Sequence, residues 1–206
     1  MAGRFITLEG GEGVGKSTQV ARLAKALRAR GEPVVTTREP GGTQGAEDIR
    51  ALLMTGSEDR WNAQTEALLF AAARADHVEK LIRPALQRGD IVICDRFIDS
   101  TRAYQGGAGG LSDNDIMALH RVGSGGLLPD VTLLLEISVD EGQRRAQARA
   151  DDKDRMGAKD AAYYVRVAER FQELAQSEPT RFRVIDASGT AENVTQRIVA
   201  ALGEVP

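Results

Sequence analysis

The feature that most constrains this chain is the glycine-rich string GGEGVGKS at residues 10–17. It follows the apolar run FITL at 5–8 and opens a segment with the pattern of a helix. Glycine adopts backbone conformations that other residues avoid, so such a string can turn its N–H groups inward. A ring of N–H donors that ends at a helix N-terminus binds phosphate groups. The string therefore predicts a strand, a phosphate-binding loop and a helix, with a nucleoside triphosphate as the ligand.

Individual positions of the string have predicted tasks. Lys16 is expected to reach the β- and γ-phosphates, Ser17 to bind Mg²⁺ and Thr18 to meet the α-phosphate. The variable positions hold Glu12 and Val14, so the loop contains no arginine. The predicted nucleotide-binding residues of this region are Gly10, Gly11, Glu12, Gly13, Val14, Gly15, Lys16, Ser17 and Thr18.

The composition indicates one globular domain over residues 1–206, because 206 residues that are 42% hydrophobic suffice for one compact core. The formal net charge of −3 argues against a general nucleic-acid or membrane surface. No apolar stretch approaches the roughly 18 residues of a membrane span, and the N-terminus enters a strand directly, so we expect a cytoplasmic location. The single cysteine, Cys94, excludes a disulfide framework and is predicted to be buried.

Short apolar segments alternate with helical ones, which is typical of an α/β fold with a parallel sheet. The predicted strands cover residues 5–8, 34–37, 91–94, 131–135 and 182–185. The predicted helices cover residues 16–30, 45–54, 61–87, 112–121, 140–149, 160–175 and 191–202. Two stretches, the glycine-rich 106–110 and the charged 149–159, are predicted to be mobile.

Polar side chains follow the ends of the first three predicted strands. Glu9 ends the first strand, Arg38 follows the second, and Asp95 and Arg96 follow the third. Ligands of an open parallel sheet gather beyond the carboxyl ends of its strands, so we expect these groups to converge on the phosphate-binding loop. Strand-end turns also attract charge for structural reasons, and a solvated turn is the alternative for Arg38 and Arg96.

Several strings, taken together, resemble those of the thymidylate kinases, which transfer a phosphoryl group from ATP to dTMP. They are the phosphate-binding loop, TREPGGT at 37–43, FAAAR at 70–74, DRFIDSTRAYQG at 95–106 and PDVTLLLE at 129–136. The resemblance covers nearly the whole chain. It implies the α/β fold of a P-loop NTPase, a three-layer sandwich with a five-stranded parallel sheet flanked by helices, and a short lid at about 149–159.

The resemblance implies how the acceptor phosphate and the metal are held. Arg38 and Arg96 match the family positions that grip the phosphate of dTMP. Asp95 is implied to orient these groups or to hold Mg²⁺ with Ser17, and Glu9 matches an acidic position near the sugar 3′-hydroxyl and the metal. A phosphate monoester has a second pKa near 6, so the attacking oxygen is largely ionised at neutral pH and needs no general base.

The resemblance also implies the nucleoside contacts. Phe70 matches the ring that stacks on thymine, and Arg74, one helical turn later, matches the side chain that hydrogen-bonds a pyrimidine carbonyl. Thr101 and Gln105 match positions at the pyrimidine edge and the deoxyribose, and Tyr104 either closes the deoxyribose side or packs. A core role is the alternative for Phe70. The implied dTMP-binding residues are Glu9, Arg38, Phe70, Arg74, Arg96, Thr101, Tyr104 and Gln105.

Because the phosphate-binding loop lacks an arginine, the resemblance implies that the lid supplies one, and the arginines in or beside the lid are Arg144, Arg145, Arg149 and Arg155. We favour Arg149 as the donor that closes over the phosphates in the transition state, with a solvated helix end as its alternative. Arg145 is expected to cover the adenine face, and the family usually forms homodimers. The implied catalytic residues are Lys16, Asp95, Arg96 and Arg149.

Other functions stay open at this point. A kinase of another pyrimidine nucleotide is the nearest alternative, and thymidine is disfavoured because its neutral hydroxyl would want a base. The histidines, His77 and His120, lie in predicted helices and are expected to have ordinary structural roles. A GTP-dependent switch would carry the string Asn-Lys-x-Asp, which the chain lacks. We therefore predict a kinase that uses ATP and Mg²⁺ to phosphorylate dTMP, with no nucleic-acid or membrane partner.

Overall fold

Five parallel strands form the centre of the fold in the computed structural model, which describes residues 3–138, 141–142, 144–145 and 160–203. They are β1 (Arg4–Glu9), β2 (Val34–Arg38), β3 (Ile91–Asp95), β4 (Val131–Glu136) and β5 (Phe182–Asp186). Their order is β2-β3-β1-β4-β5, and every pairing is parallel. The five predicted strands are confirmed. Each extends one polar residue further at its carboxyl end, because the ladder of backbone hydrogen bonds does not require an apolar side chain.

Helices cover both faces of the sheet. They are α1 (Lys16–Arg28), α2 (Gln44–Met54), α3 (Ala63–His77), α4 (Arg83–Gln87), α5 (Ile98–Thr101), α6 (Asp113–Ser124), α7 (Ala161–Ser177) and α8 (Ala191–Gly203). Five of them begin after a side chain that accepts a hydrogen bond from the backbone N–H three residues later, at Thr43, Asn62, Ser112, Asp160 and Thr190. Within the described ranges, none of the helices has the length and apolar character that crossing a membrane requires.

The three central strands, β1, β3 and β4, are buried on both faces, so their alternating side chains enter two different cores. Ile6 and Leu8 of β1 belong to the core beneath α1 and α8, together with Leu23. Phe5 belongs to the opposite core and packs edge-to-face against Phe97, with ring centroids 4.9 Å apart. This arrangement confirms the predicted three-layer α/β sandwich.

The single helix predicted at 61–87 was wrong in detail. In the structure, three successive segments replace it. Helix α3 begins at Ala63 after the Asn62 cap, and a π-helical segment, π1 (Val78–Ile82), separates α3 from α4. Pro84 accounts for the change, because proline has no backbone N–H to donate to the preceding turn.

The loop predicted at 106–110 was also wrong in part, since its first three residues complete a second π-helical segment, π2 (Arg102–Ala108). Gly107 lies so close to α7 that an added Cβ would be 2.5 Å from the Cβ of Arg170. The missing side chain therefore allows close packing against α7. The other predicted mobile stretch, 149–159, and most of the predicted helix at 140–149 lie outside the described residues.

Buried charges fix π2 against α6 and the chain between α7 and β5. Asp99 is fully buried and accepts hydrogen bonds from Arg102 (3.1 Å) and Arg181 (2.6 and 3.0 Å). Arg102 also donates to Asp113, at 2.8 and 3.0 Å, and to Glu178, at 2.7 Å. Buried charges are tolerated when they are paired and hydrogen-bonded. The network holds the segment that carries several of the predicted site residues.

Candidate active site

The phosphate-binding loop joins β1 to α1, as predicted. Gly10 (φ 132°) and Gly15 (φ 92°) occupy conformations that favour glycine, and a Cβ at Gly10 would lie 2.4 Å from the carbonyl oxygen of Leu135. Lys16 is buried, and its ammonium group donates to the carbonyl oxygens of Gly10 (3.1 Å) and Gly11 (2.7 Å). The lysine amine therefore lies within the loop that is expected to surround phosphate groups.

Ser17 and Asp95 meet at the predicted metal position. The Ser17 hydroxyl donates to the Asp95 carboxylate at 2.6 Å, which connects the start of α1 to the end of β3. Hydroxyl and carboxylate oxygens, completed by phosphate oxygens and water, are the ligands that Mg²⁺ prefers. The described part of the chain has no group of three or more histidine, cysteine or acidic side chains suited to a metal. Ser17 and Asp95 supply two oxygen ligands, and this donor set fits Mg²⁺ whose other ligands are nucleotide phosphates and water.

Arg96 lies beside the loop in a strained backbone conformation. Its φ of 67° is the one positive value among the described non-glycine residues, and such strain clusters at functional sites. Its guanidinium donates to the Glu12 carboxylate (2.5 Å), to the Gly10 carbonyl oxygen (3.1 Å) and to the Ser100 hydroxyl (3.1 Å). The guanidinium also lies 5.1 Å from the ring centroid of Tyr104. A phosphate at this position would compete with Glu12 for the guanidinium.

Glu9 is buried beneath this turn. Its carboxylate accepts hydrogen bonds from the Phe97 backbone N–H (2.7 Å) and the Ser100 hydroxyl (2.6 Å). Burial raises the pKa of Glu9 to about 8, and the negative charge of Asp99 acts in the same direction. Both of its oxygens thus support the turn after β3, and its predicted contacts with the sugar and the metal stay a prediction.

Arg38 and Phe70 lie on the other side of the cleft. Arg38 ends β2 and donates two hydrogen bonds to Glu47, at 2.9 and 3.0 Å, with 53% of its side chain exposed. An exposed ion pair of this kind contributes only about 0–1 kcal/mol, so a phosphate could displace Glu47. Phe70 is half-buried on α3 and lines the cleft rather than the core.

Arg74 is held by a buried network that the sequence analysis missed. It donates to Glu39 through Nε (2.8 Å) and to the Thr101 hydroxyl through Nη2 (2.9 Å). The fully buried His77 contacts the other oxygen of Glu39 at 3.0 Å and the Thr37 hydroxyl at 2.7 Å. His77 has the structural role that was expected, but it serves the site through Glu39. The network leaves Arg74 one orientation on the cleft wall.

Gln105 on π2 is likewise held by a carboxylate. Its amide nitrogen Nε2 donates to Glu66 at 3.0 Å, and both residues are buried. Tyr104, the residue before it, donates its hydroxyl to Glu12 at 3.2 Å, and its backbone carbonyl accepts from Tyr163 of α7 at 3.1 Å. The π2 segment therefore connects the phosphate-binding loop to α3 and α7.

One cleft of about 280 Å³ brings these groups together. Of the eight residues predicted to bind the acceptor, all except Glu9 line it. The predicted residues on its wall are Glu12, Gly13, Gly15, Lys16, Ser17, Arg38, Phe70, Arg74, Asp95, Arg96, Thr101, Tyr104 and Gln105. The lining residues that were not predicted are Glu39, Pro40, Arg50, Met54, Phe97 and Ser100. Five predicted nucleotide-binding residues, Gly10, Gly11, Val14, Thr18 and Arg145, are not among the lining residues.

The predicted lid arginines are only partly described. Arg145 donates to Glu141 at 2.9 Å and to the carbonyl oxygen of Ala187 at 3.2 Å, which places it beside the loop after β5. Arg144 is 73% exposed and pairs with Glu141 at 2.6 Å. Arg149 lies outside the described residues.

Comparison with known proteins identifies the family. Residues 8–198 match the family model described as thymidylate kinase. The chain belongs to the thymidylate kinase family. Similar proteins include the thymidylate kinase of Rhizorhabdus wittichii, which is 58% identical over 206 residues, covering 100% of this chain and 99% of the relative. The thymidylate kinase of Caulobacter vibrioides is 50% identical over 196 residues, covering 95% of this chain and 94% of the relative.

A solved structure supports the same assignment. The crystal structure of thymidylate kinase from Ehrlichia chaffeensis superimposes with a TM-score of 0.78 and 34% sequence identity, covering 98% of this chain and 99% of that chain. The predicted resemblance to the thymidylate kinases and the predicted P-loop NTPase fold are thus confirmed. Of the residues that sequence reasoning missed, Glu39 lies inside the string TREPGGT and could have been found there, whereas Glu66 had no local signal.

The ammonium group of Lys16 has an unusual pKa. Burial lowers the pKa of Lys16 to about 8, the positive charge of Arg96 lowers it further, and the carboxylates of Glu12 and Asp95 oppose both effects. A bound triphosphate would supply negative charge and raise this pKa again. Lys16 would therefore have one pKa in the free protein and a higher one in the nucleotide complex. At pH values between these two, the complex would hold one more proton than the free protein.

We expect the affinity for ATP to be constant below pH 8 and to fall above it, by up to about tenfold per pH unit, because the free protein then loses the Lys16 proton. Calorimetric titrations between pH 7 and 10 measure this slope.

Three variants assign the slope to one group. Lys16→Met is expected to bind ATP weakly and without the fall above pH 8. Glu9→Gln removes the other group with a pKa of about 8 and is expected to keep the fall, as is Lys25→Met at an exposed position of α1. A slope that disappears in Glu9→Gln and persists in Lys16→Met would contradict the prediction.

Proposed function

We propose that this chain transfers the γ-phosphoryl group of ATP to dTMP, giving dTDP and ADP. The observation that carries the proposal is the single cleft that runs from the phosphate-binding loop, past Arg96 and Arg38, to Phe70, Arg74 and Gln105. Such a cleft offers a triphosphate site, two cations for a second phosphate and a base-binding end in one continuous space. Membership of the thymidylate kinase family selects dTMP among the possible acceptors.

On the donor side, the loop from Gly10 to Thr18 would bind the phosphates of ATP through its backbone N–H groups and Lys16. Mg²⁺ would be held by the Ser17 hydroxyl and Asp95, which already contact each other at 2.6 Å. When bound, Mg²⁺ supplies charge neutralisation for the phosphate oxygens. Arg145, beside the loop after β5, is proposed to cover the adenine.

On the acceptor side, Arg38 and Arg96 would hold the dTMP phosphate in line with the γ-phosphorus. An ionised oxygen of dTMP forms the new bond to that phosphorus while the bond to the oxygen that bridges the β- and γ-phosphates breaks, and ADP leaves with the electron pair. The reaction needs no general base, because the attacking oxygen is largely ionised above its pKa of about 6. The protein's contribution is therefore positioning and charge neutralisation.

At the base end, the half-buried ring of Phe70 would stack on thymine, and Arg74 would donate to its O4 carbonyl. Thr101 and Gln105 would meet the pyrimidine edge, and Tyr104 the deoxyribose. Glu9 is proposed to lie near the 3′-hydroxyl and the metal, with its carboxylate behind the turn after β3.

Further features of the proposal concern the whole molecule. We propose one kinase domain over residues 1–206 with a lid at about 149–159, and a cytoplasmic enzyme without nucleic-acid or membrane partners. A homodimer is proposed as well, because Leu68 on α3 and Val122 on α6 expose large apolar side chains on two helices that pack together.

The acceptor is tested by measuring ADP release with ATP, Mg²⁺ and, in turn, dTMP, dUMP, dCMP, UMP and thymidine. We expect the highest kcat/KM with dTMP, and with dUMP a value lower by about 10- to 200-fold, which is what one methyl group in a pocket can supply. Turnover that no acceptor stimulates would overturn the kinase proposal and favour a nucleotide-dependent switch.

The lid arginine is tested by substitution. We expect Arg149→Ala to lower kcat by at least about 100-fold with a small change in the KM for dTMP, because an arginine that meets the transferred group acts in the transition state. Arg144→Ala is the matched control, since Arg144 is exposed and pairs with Glu141. A loss of kcat in Arg144→Ala together with normal turnover in Arg149→Ala would reassign the role.

A further inference from the structure

Two buried carboxylates stand behind the two side chains that are proposed to face the base. Glu39 accepts a hydrogen bond from Arg74 at 2.8 Å, and Glu66 accepts one from the Gln105 amide nitrogen at 3.0 Å. All four residues are buried, with 7%, 2%, 5% and 1% of the residue surface exposed in the order named. Bulk water therefore has little access to them, and their protein partners decide how each is oriented.

The contact with Glu66 decides which end of the Gln105 amide is available to a ligand. A carboxylate only accepts hydrogen bonds, whereas a glutamine amide has one donor end, NH₂, and one acceptor end, the oxygen. With the amide reversed, two oxygens would face each other without a proton between them. Glu66 thus holds the NH₂ end, and the amide oxygen is the acceptor that Gln105 can offer to the cleft it lines.

Arg74 supplies the complementary polarity. A guanidinium has donors and no acceptor, and Glu39 and Thr101 fix this one at 2.8 and 2.9 Å. The cleft therefore combines a donor from Arg74 with an acceptor from Gln105. A thymine or uracil edge carries a carbonyl oxygen next to an N3–H group and matches both. A cytosine edge carries an amino group next to an unprotonated N3, so both contacts would be mismatched.

We infer that Glu66 is a positioning residue that makes this site select keto pyrimidines over cytosine, by fixing the orientation of the Gln105 amide. The inference rests on the proposed function. Glu66 is not among the described residues that line the cleft, so it acts through Gln105 and does not touch the substrate. A site built around hydrogen bonds to the base rejects an analogue that leaves its buried polar groups unpaired.

The experiment compares kcat/KM for dTMP, dUMP and dCMP in the wild-type protein and in Glu66→Gln. An amide at position 66 can pair with Gln105 in either orientation, so the variant no longer fixes the acceptor. We expect the dTMP-to-dCMP ratio to fall by about tenfold or more. The dTMP-to-dUMP ratio should stay unchanged, because these two bases present the same O4 and N3–H groups.

A charge swap provides the rescue. In the double variant Glu66→Gln with Gln105→Glu, an amide at position 66 donates to a carboxylate at position 105, which still offers an acceptor to the cleft. We expect the dTMP-to-dCMP ratio to return close to the wild-type value. Glu169→Gln, at an exposed position of α7, is the control that should leave both ratios unchanged.

The outcomes separate the inference from the function on which it rests. Equal losses of dTMP and dCMP turnover in Glu66→Gln, with an unchanged ratio and a lower melting temperature, would reduce Glu66 to a structural residue and overturn the inference. If Glu66→Gln does not fold, the double variant decides, and a folded double variant without selectivity overturns it. Absence of dTMP turnover in the wild-type protein would instead overturn the proposed function.

Discussion

The site depends on the parallel pairing of β3 with both β1 and β2. In this register, Asp95 pairs with Leu8 on one side and with Arg38 on the other, so the carboxyl ends of three strands finish at one level. The phosphate-binding loop leaves β1 at that level, and Ser17 at the start of α1 reaches Asp95 directly. A slip of one residue in β3 would send Asp95 to the other face of the sheet and separate these groups. Every proposed contact with the two phosphates is built on this alignment.

The cations of the cleft fall into two groups that differ in how firmly they are held. Near the phosphates, Arg38 pairs with Glu47 while half-exposed, and Arg96 pairs with the partly exposed Glu12. An incoming phosphate can displace Glu47 from Arg38, because exposed ion pairs are weak, and it can compete with the Glu12 carboxylate, which is 46% exposed, for Arg96. At the base end, Arg74 and Glu39 are both buried, and breaking such a pair would leave an uncompensated charge. The chain thus combines exchangeable partners at the proposed phosphate positions with a fixed orientation at the proposed base end.

The contiguous features of this arrangement could be predicted from the sequence, and the long-range ones could not. The loop at 10–17 is one string whose strand and helix adjoin it, and the strand ends carry their polar residues in sequence. The contact between Glu66 and Gln105 spans 39 residues, and the contact between Glu39 and His77 spans 38, so each depends on how α3 lies against other elements. Glycine at 106 and 107 suggested a loop, but packing of π2 against α7 outweighed this local preference.

We propose that the arginines at the strand ends, Arg38 and Arg96, bind the phosphate of the acceptor. Calorimetric binding of dTMP and of thymidine to the wild-type protein, Arg38→Ala and Arg96→Ala tests it most directly, because the two ligands differ only in that phosphate. We expect each substitution to weaken dTMP binding by about 10- to 100-fold, the value of a charge-assisted hydrogen bond, and to leave thymidine binding nearly unchanged. Equal losses for both ligands, or none for dTMP, would contradict it.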